Sequence, residues 1–252
     1  MEENQSRFTT EALVIKEMSV GENDRLVTLF TRDYGIIRAF AAGAKSIKSK
    51  KGAATSLLTY GSFTILKKKE TYKIYEATPV RLFFGVGSEI DVLSLAQYFC
   101  ELCGVLVASG IPDGEFLRLI LNSLHFLTKE KRYPPLIKAI TELRAAALAG
   151  YMPNLVACGG CGKFEDDIMY FDVRDGKLLC AECKSQTGGL IPLDRTILSA
   201  MRHIVYSEFS RLYSFTVPEE SADKLSEITG KYITIQTDHR FAALDFYNTV
   251  KE

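Results

Sequence analysis

The stretch CGGCGKFEDDIMYFDVRDGKLLCAEC, residues 158–183, contains two Cys-x-x-Cys pairs that are separated by eighteen residues. Two thiolates two residues apart bend the chain into a knuckle, and two knuckles supply the four sulfur ligands of a tetrahedral shell. The glycines beside the first pair give the backbone the freedom that such a tight turn needs. The doubled spacing is typical of zinc sites. We therefore predict one structural zinc ion bound by four thiolates: Cys158, Cys161, Cys180 and Cys183.

A short hairpin is predicted between the two knuckles. Residues 168–173 have the apolar character of a strand, Arg174-Asp175-Gly176 is a turn sequence, and residues 177–179 lead back to the second knuckle. Together these features predict a zinc-ribbon-like module. A catalytic zinc is not expected, because four thiolates leave no coordination position for water. The alternative, two unrelated pairs of core or redox cysteines, does not explain the doubled spacing.

A third Cys-x-x-Cys pair, Cys100 and Cys103, lies in the middle of an apolar sequence with helical spacing. A redox pair is typically found at the start of a helix, where the helix dipole lowers a thiol pKa. A cysteine within a helix core behaves as a small hydrophobic residue. We therefore predict a structural role for this pair.

Upstream of the cysteines, residues 8–80 contain short apolar runs that are separated by turn residues. Five short strands within about 70 residues favour a small closed barrel over a sandwich, and a five-stranded barrel of this size is most often an OB-fold. The runs are Ala12–Ile15, Leu26–Phe30, Ile36–Phe40, Ser62–Leu66 and Tyr72–Tyr75.

Apolar residues recur at helical spacing in the rest of the chain: three times between residues 88 and 150, then from Leu193 to Phe209 and near Ala222 to Tyr232. The predicted fold is therefore an α+β multidomain protein, with the zinc-ribbon-like module inserted among the C-terminal helices. We expect four parts: an OB-fold barrel at 1–80, a helical domain at 81–152, a four-cysteine zinc module at 153–190, and C-terminal helices at 191–252 that pack on the helical domain.

The charge of the chain is unevenly distributed. The formal net charge is zero, yet residues 32–73 carry ten cationic and two anionic side chains, a net charge of +8. The remaining residues therefore carry a net charge of −8. Such a polarised chain attracts polyanions at one end only. The N-terminus lacks the pattern of a signal peptide, and no apolar run is long enough to span a membrane, so we expect a soluble, cytoplasmic protein.

The cations are densest in residues 43–52, a segment rich in Gly and Ser that is predicted to be a flexible loop between two strands. Lysines on such a loop can bind phosphates without reading bases, and Ser46 and Ser49 can donate to phosphate oxygens. The alternative is a solvated loop that keeps the barrel soluble. Nearby aromatic residues could stack on bases, although core packing is the favoured interpretation for each. They are Tyr60, Phe63, Tyr72 and Tyr75.

No catalytic motif is found in the sequence. The histidines His125, His203 and His239 are far apart, and there is no Walker loop, nucleophile elbow or HExxH motif. We therefore expect a protein that is not an enzyme. An enzyme with an unrecognised pocket is the remaining alternative.

Three stretches of the chain resemble the RecO family of bacterial recombination mediators. The first is NDRL at 23–26, with FT at 30–31, YG at 34–35 and GAKS at 43–46 followed by Lys48. The second is ELR at 142–144 with GYxPNLxxC at 150–158, and the third is Pro192-Leu193 before the helix that contains Met201 and Ile204. The order of barrel, helices and zinc module also agrees with the family, so the resemblance covers nearly the whole chain.

The resemblance implies an OB-fold that binds single- and double-stranded DNA and anneals complementary strands. It implies that RecR is a partner, that RecA is loaded indirectly onto strands coated by single-strand-binding protein, and that the protein is associated with the nucleoid. No membrane partner is expected. Carried over by position, the DNA-contact candidates are Arg38, Lys45, Lys48, Lys50 and Lys51, with Arg25 and Arg32 as secondary ones.

A different class of function remains open at this point. The chain could be a zinc-ribbon scaffold that joins a protein assembly without binding DNA directly. Such a scaffold would bind DNA only weakly, and it would tolerate loss of the four lysines in the predicted loop.

Overall fold

The computed structural model describes residues 5–46, 48–84, 89–184 and 189–251. Ile47 of the predicted loop and residues 185–188 of the predicted zinc module lie outside these ranges. The chain forms two compact units, one of residues up to Thr128 together with those from Ala242 onwards, the other of Lys129–Phe241. Among the described residues, no helix has both the length and the low polarity that crossing a membrane requires.

The elements follow one another along the chain in four groups. Five strands come first: β1 Gln5–Val20, β2 Asp24–Thr31, β3 Gly35–Ala41, β4 Thr59–Lys68 and β5 Thr71–Leu82. Three helices follow: α1 Ile90–Leu106, α2 Gly114–Thr128 and α3 Pro134–Leu148. Four short strands come next: β6 Asn154–Cys158, β7 Met169–Asp172, β8 Lys177–Leu179 and β9 Leu190–Leu193. The last group is α4 Arg195–Tyr206, α5 Glu219–Thr237 and α6 Ala242–Val250.

The first five strands form a closed barrel in the order β1-β2-β3-β5-β4. Neighbouring strands are antiparallel except β3 and β5, which are parallel. Strand β1 closes the barrel because its first part pairs with β4 and its second part with β2, with a bulge between Val14 and Lys16. Each of the five predicted runs lies in one of these strands, so the predicted small barrel is confirmed.

The barrel interior is built by side chains that alternate along each strand. In β3, Ile37, Ala39 and Ala41 are buried, whereas Ile36, Arg38 and Phe40 between them are partly or fully exposed. This alternation follows from the two-residue period of a strand, which sends successive side chains to opposite faces. The inward residues pack into one core that includes Val27, Leu29, Phe63, Ile65 and Ile74.

Helices α1, α2 and α6 belong to the barrel unit. The ring of Phe116 on α2 packs against Phe30 on β2, with 6.2 Å between ring centroids. The carboxylate of Glu101 accepts hydrogen bonds from the backbone N–H groups of Ala242 and Ala243, which fixes the start of α6. The sequence did not predict α6 as a separate helix.

The second unit combines α3, α4 and α5 with a sheet of order β6-β8-β7-β9. The predicted hairpin between the knuckles is confirmed as β7 and β8, which pair through Phe171 and Leu178. The helix expected from Leu193 to Phe209 begins later, at Arg195, and ends earlier, at Tyr206. Leu193 is instead the last residue of β9, and the Asp194 carboxylate caps the helix by accepting from the N–H of Ile197.

The two compact units do not coincide with the predicted domains. The range 81–152 contributes α1 and α2 to one unit and α3 to the other. This grouping describes packing and not independent folding. The four-part domain division therefore stays a prediction.

A buried ion pair joins α3 to α5. Lys138 Nζ lies 2.9 Å from Glu142 Oε2, and both side chains are almost fully buried. Lys138 also donates to the Ser226 carbonyl at 2.8 Å, and the Thr229 hydroxyl donates to Glu142 at 2.6 Å. At Gly230 an added Cβ would lie 2.9 Å from Lys138 Nζ, so a glycine there lets α5 approach the pair closely. The ion pair and these hydrogen bonds offset the free-energy cost of removing both charges from water.

We predict that Glu142→Ala lowers the free energy of unfolding by about 3–5 kcal/mol, because it leaves the Lys138 ammonium buried without its counterion. Urea denaturation followed by circular dichroism measures this change.

The matched control is Glu220→Ala, which removes an exposed pair of the same spacing, since Glu220 Oε1 lies 2.7 Å from Lys224 Nζ. Exposed pairs contribute little, so this variant should lose much less stability than Glu142→Ala. Equal losses of unfolding free energy in the two variants would show that burial of the Lys138–Glu142 pair does not increase its contribution to stability.

Candidate metal centre and nucleic-acid interface

The four predicted zinc ligands meet at one end of the β6-β8-β7-β9 sheet. Cys158 is the last residue of β6, and Cys180 directly follows β8. Cys161 and Cys183 lie in the turns after them. All four sulfur atoms lie within 4.8 Å of one another. The structure therefore brings together every cysteine of the predicted set, and the set can hold a metal ion.

The distances fit a tetrahedral thiolate shell. Metal–sulfur bonds of about 2.3 Å place tetrahedral sulfur ligands about 3.8 Å apart, and the Sγ atoms of Cys161 and Cys180 are 3.7 Å apart. A Cβ added at Gly160 would lie 2.9 Å from the Sγ of Cys183. The first knuckle therefore needs glycine there to make room for the fourth ligand.

The thiols of this cluster differ in pKa. Burial raises the pKa of Cys158, but hydrogen bonds from the backbone N–H groups of Cys161, Cys180 and Gly160 outweigh it and lower that pKa to about 6. The Cys183 thiol donates to the neighbouring sulfurs, which raises the pKa of Cys183 to about 12. Four thiolates this close repel one another, so a bound cation is needed before all four can ionise together.

Arg202 on α4 holds together the two chain segments that flank the first knuckle. Its guanidinium donates to the carbonyl oxygens of Leu155 at 2.7 Å, Val156 at 3.0 Å and Phe164 at 2.9 Å. These contacts join β6 to the loop that follows Cys161. Sequence reasoning missed this residue, because an arginine inside an amphipathic helix gives no signal of its backbone partners.

The third cysteine pair does not take part in the metal centre. Cys100 and Cys103 are buried in the middle of α1, and the Cys103 thiol donates to the Phe99 carbonyl at 3.2 Å. Burial raises the pKa of Cys100 to about 12 and that of Cys103 well above its usual value. Neither thiol ionises readily, which confirms the predicted structural role.

The segment of residues 42–58, here called the basic loop, joins β3 to β4. Within it Lys45, Lys48 and Lys50 are exposed and Lys51 is partly exposed. The loop is tied to the β1–β2 hairpin: the Gly43 N–H donates to Asp24 at 2.7 Å. The four lysines therefore lie on a segment with fixed attachment points, which differs from the flexible loop that the sequence predicted.

Arg25 on β2 is the main attachment point of the basic loop. Its Nη1 donates to the Gly52 carbonyl at 2.8 Å and to the hydroxyls of Thr55 and Ser56 at 3.2 Å each. It also forms an ion pair with Glu17 at 3.7 Å. The guanidinium is thus engaged within the protein. A contact between Arg25 and DNA stays a prediction.

A groove of about 640 Å³ runs between the basic loop and β5. The loop side carries Lys48, Lys50 and Lys51, and the strand side carries Tyr75 and Glu76, with other lining residues between them. The Tyr75 ring is 51% exposed, and the Arg7 guanidinium lies 4.3 Å from its centroid. Cations and an open aromatic ring therefore share one groove, an arrangement suited to a polyanion that has flat bases.

The remaining cationic candidates lie on the barrel wall. Arg38 points outward from β3 and is exposed. Arg32 is exposed too, but it forms an ion pair with Glu11 at 3.3 Å. Contact of these residues with DNA stays a prediction.

The aromatic residues near the loop have different surroundings. Phe63 is fully buried in the barrel core, as favoured from the sequence. Tyr72 packs partly against that core, and Tyr60 donates its hydroxyl to Glu11 at 3.0 Å. The interpretation was wrong for Tyr75, which follows the inward-facing Ile74 along β5 and therefore points outward.

The fold and the cysteine site define a class of protein: an OB-fold barrel with an attached lobe that carries a zinc-ribbon-like four-cysteine centre. Residues 4–83 match the family model described as Recombination protein O N terminal, and residues 87–245 match that described as Recombination protein O C terminal. The chain therefore belongs to the RecO family, and this membership gives it a role in recombinational DNA repair, which implies contact with DNA.

Individual relatives agree with the family match over almost their whole length. The DNA repair protein RecO of Acetivibrio thermocellus is 32% identical over 241 residues, which cover 96% of both chains. That of Caldicellulosiruptor saccharolyticus is 26% identical and covers 95% of this chain and 97% of its own. That of Clostridium novyi is 26% identical over 98% of this chain and 95% of its own.

We predict that Cys161→Ser abolishes stoichiometric metal binding, because a neutral hydroxyl replaces one of four anionic sulfur ligands. The lobe around residues 158–183 should become less stable at the same time. Metal content by mass spectrometry of purified protein, together with limited proteolysis, measures both effects.

Cys100→Ser is the matched control, since it also removes one thiol but belongs to the barrel unit and not to the four-cysteine cluster. It should keep its metal. Full metal content in the Cys161→Ser protein would rule out a centre made of four thiolates.

Proposed function

We propose that this protein is a non-enzymatic DNA-binding protein that binds single strands, anneals complementary strands and, together with RecR, helps to load RecA. The observation that carries the proposal is the groove between the basic loop and β5, where lysines face an exposed tyrosine. Family membership supports the repair context.

The proposed mechanism is electrostatic. Two complementary strands repel each other through their phosphates, and the cations of the barrel unit neutralise part of that charge. Binding is driven by release of counterions, so affinity should fall steeply with salt. Lysine contacts carry no sequence information, so the protein should bind strands of any sequence, both as single strands and as a duplex.

We further propose that the ion at the four cysteines is zinc and that its role is structural. Four cysteine sulfurs within 4.8 Å of one another, two of them 3.7 Å apart, fit the thiolate shell that this ion prefers. The lobe has only short strands, β6 to β9, so metal bonds would replace the core that it cannot build alone.

The proposed partners are those that resemblance to the RecO family implies: RecR and single-strand-binding protein, with RecA reached indirectly. Residues outside the range 32–73 carry a net charge of −8. Such a surface disfavours DNA and leaves area for protein partners. The site of action would be the chromosome, in the cytoplasm.

A scaffold that joins a protein assembly without binding DNA is the second candidate. Exposed apolar side chains near the metal centre favour it, since such residues often mark protein contacts. They are Val156, Phe164 and Ile168.

We predict that replacing Lys45, Lys48, Lys50 and Lys51 by Gln makes DNA binding weaker and less dependent on salt. Each phosphate contact on a single strand contributes about 0.7 to the slope of log affinity against log salt, so the slope should fall by up to about 3. Fluorescence anisotropy with a labelled single strand across a salt series measures the slope.

A second variant with four exposed lysines of the other unit replaced by Gln has the same loss of charge. These lysines are Lys129, Lys184, Lys224 and Lys231. It should keep the wild-type slope. If the two variants have equal slopes of log affinity against log salt, the DNA does not bind at the basic loop. If folded wild-type protein does not bind DNA even at low salt, the scaffold role is the one that remains.

A further inference from the structure

The four cysteines of the metal centre differ in how open they are to solvent. Cys158 and Cys180 are buried, and Cys183 is partly exposed. Cys161 is exposed, and Gly162, which follows it, has no side chain that could cover it. A Cβ added at Gly162 would have no atom within 4 Å, so the space around it is open. One ligand of the centre is therefore within reach of small molecules in solution.

The buried side of the centre is shielded by the backbone as well. The Cys158 sulfur accepts hydrogen bonds from the N–H groups of Gly160 at 3.4 Å and Cys180 at 3.3 Å. Such bonds stabilise the anionic sulfur, and a stabilised thiolate is a weaker nucleophile. All four sulfurs are thiolates when a metal ion is bound, so exposure and hydrogen bonding decide which one reacts first. Both favour Cys161 over Cys158.

A second sulfur lies next to Cys161 across the centre. The Sγ atoms of Cys161 and Cys180 are 3.7 Å apart. Disulfide formation requires these two sulfurs to approach each other by less than about 2 Å. The two residues belong to different knuckles, since Cys161 comes after β6 and Cys180 directly after β8. A bond between them would link the two knuckles in place of a metal ion.

We propose that Cys161 is an oxidation site, at which hydrogen peroxide starts the replacement of the bound metal ion by a disulfide between Cys161 and Cys180. The exposed thiolate is the one that attacks the peroxide, and the buried thiolate beside it completes the disulfide. This inference rests on the proposed zinc centre and adds to it a chemical response to oxidants.

The proposed reaction uses one peroxide for each disulfide. The Cys161 thiolate attacks one peroxide oxygen, the O–O bond breaks, and the hydroxide that leaves takes up a proton to form water. The sulfur has then lost two electrons to the peroxide and is a sulfenic acid. The Cys180 thiolate attacks this sulfur, the S–S bond forms, the S–O bond breaks, and a second hydroxide leaves and takes up a proton. Two thiolates, one peroxide and two protons thus give one disulfide and two waters.

The disulfide changes what holds the lobe together. The two sulfurs that remain cannot complete a tetrahedral shell, so the metal ion is released. The new bond joins the knuckles on either side of the β7–β8 hairpin, so the hairpin stays attached at both ends. The oxidised lobe should therefore return to the metal-bound form when a thiol reductant and zinc are supplied. A disulfide within the first knuckle, between Cys158 and Cys161, would leave the two knuckles unconnected.

The experiment treats the full-length, zinc-loaded protein with excess hydrogen peroxide and follows zinc release with a chromogenic chelator. Peptide mapping by mass spectrometry, with fragmentation of the linked peptides, then identifies the cysteines that are joined. We expect about one zinc ion to be released for each disulfide formed, with the bond between Cys161 and Cys180. Dithiothreitol and added zinc should restore the original metal content.

Cys161→His tests the exposed sulfur without removing a ligand. Histidine nitrogen is a common ligand of structural zinc, so this variant should keep its metal. Because it has no sulfur at the exposed position, its zinc release in peroxide should be at least about tenfold slower than that of wild type. Cys183→His is the matched control, since it makes the same ligand exchange at the partly exposed position. It should still release zinc and form the disulfide between Cys161 and Cys180.

Zinc release from Cys161→His as fast as from wild type would overturn the assignment of Cys161 as the oxidation site. A wild-type disulfide that does not join Cys161 to Cys180 would overturn it as well, and this result does not depend on metal binding by the histidine variants. Full retention of zinc by wild-type protein in excess peroxide would show that the centre does not respond to this oxidant. Absence of zinc before any treatment would instead contradict the proposed zinc centre itself.

Discussion

The guanidinium of Arg25 is the interaction on which the arrangement of the basic loop depends. Four lysines within seven residues repel one another and the rest of the +8 segment, and the described residues of the loop belong to no strand or helix. Arg25 connects the loop to β2 through one carbonyl and two hydroxyls. Because this anchor is itself paired with Glu17, the added charge does not worsen the repulsion.

This anchoring links two stretches that are distant in the sequence. The turn and start of β2, at residues 23–26, contact the basic loop through a backbone carbonyl, a carboxylate and a guanidinium. The lysines thus reach one side of the groove, and Tyr75 reaches the other. The barrel positions charge and aromatic surface together, whereas the second unit holds the metal centre with its own helices.

The sequence predicted the elements whose signals are local. Alternation in five runs indicated the barrel strands, and the spacing of four cysteines indicated the metal ligands. The strands β6 and β9 were missed because each pairs with a strand that is not its neighbour in the sequence, so no turn sequence marks the pairing. Tyr75 points outward because Ile74 beside it faces the core, and the sequence of the strand does not show which of its two alternating sets of side chains faces inward. Arg25 was predicted as a DNA contact, and its bonds to residues 52–56 depend on the folded loop.

The central claim is that DNA binds to the barrel unit through the basic loop and the neighbouring groove. Hydrogen–deuterium exchange of the full-length protein with and without a single-stranded oligonucleotide tests it most directly. The account predicts slower exchange in peptides that cover residues 36–58, with unchanged exchange in residues 154–184 around the metal centre. Slower exchange confined to residues 154–184 would contradict the account, because the DNA would then lie on the metal lobe.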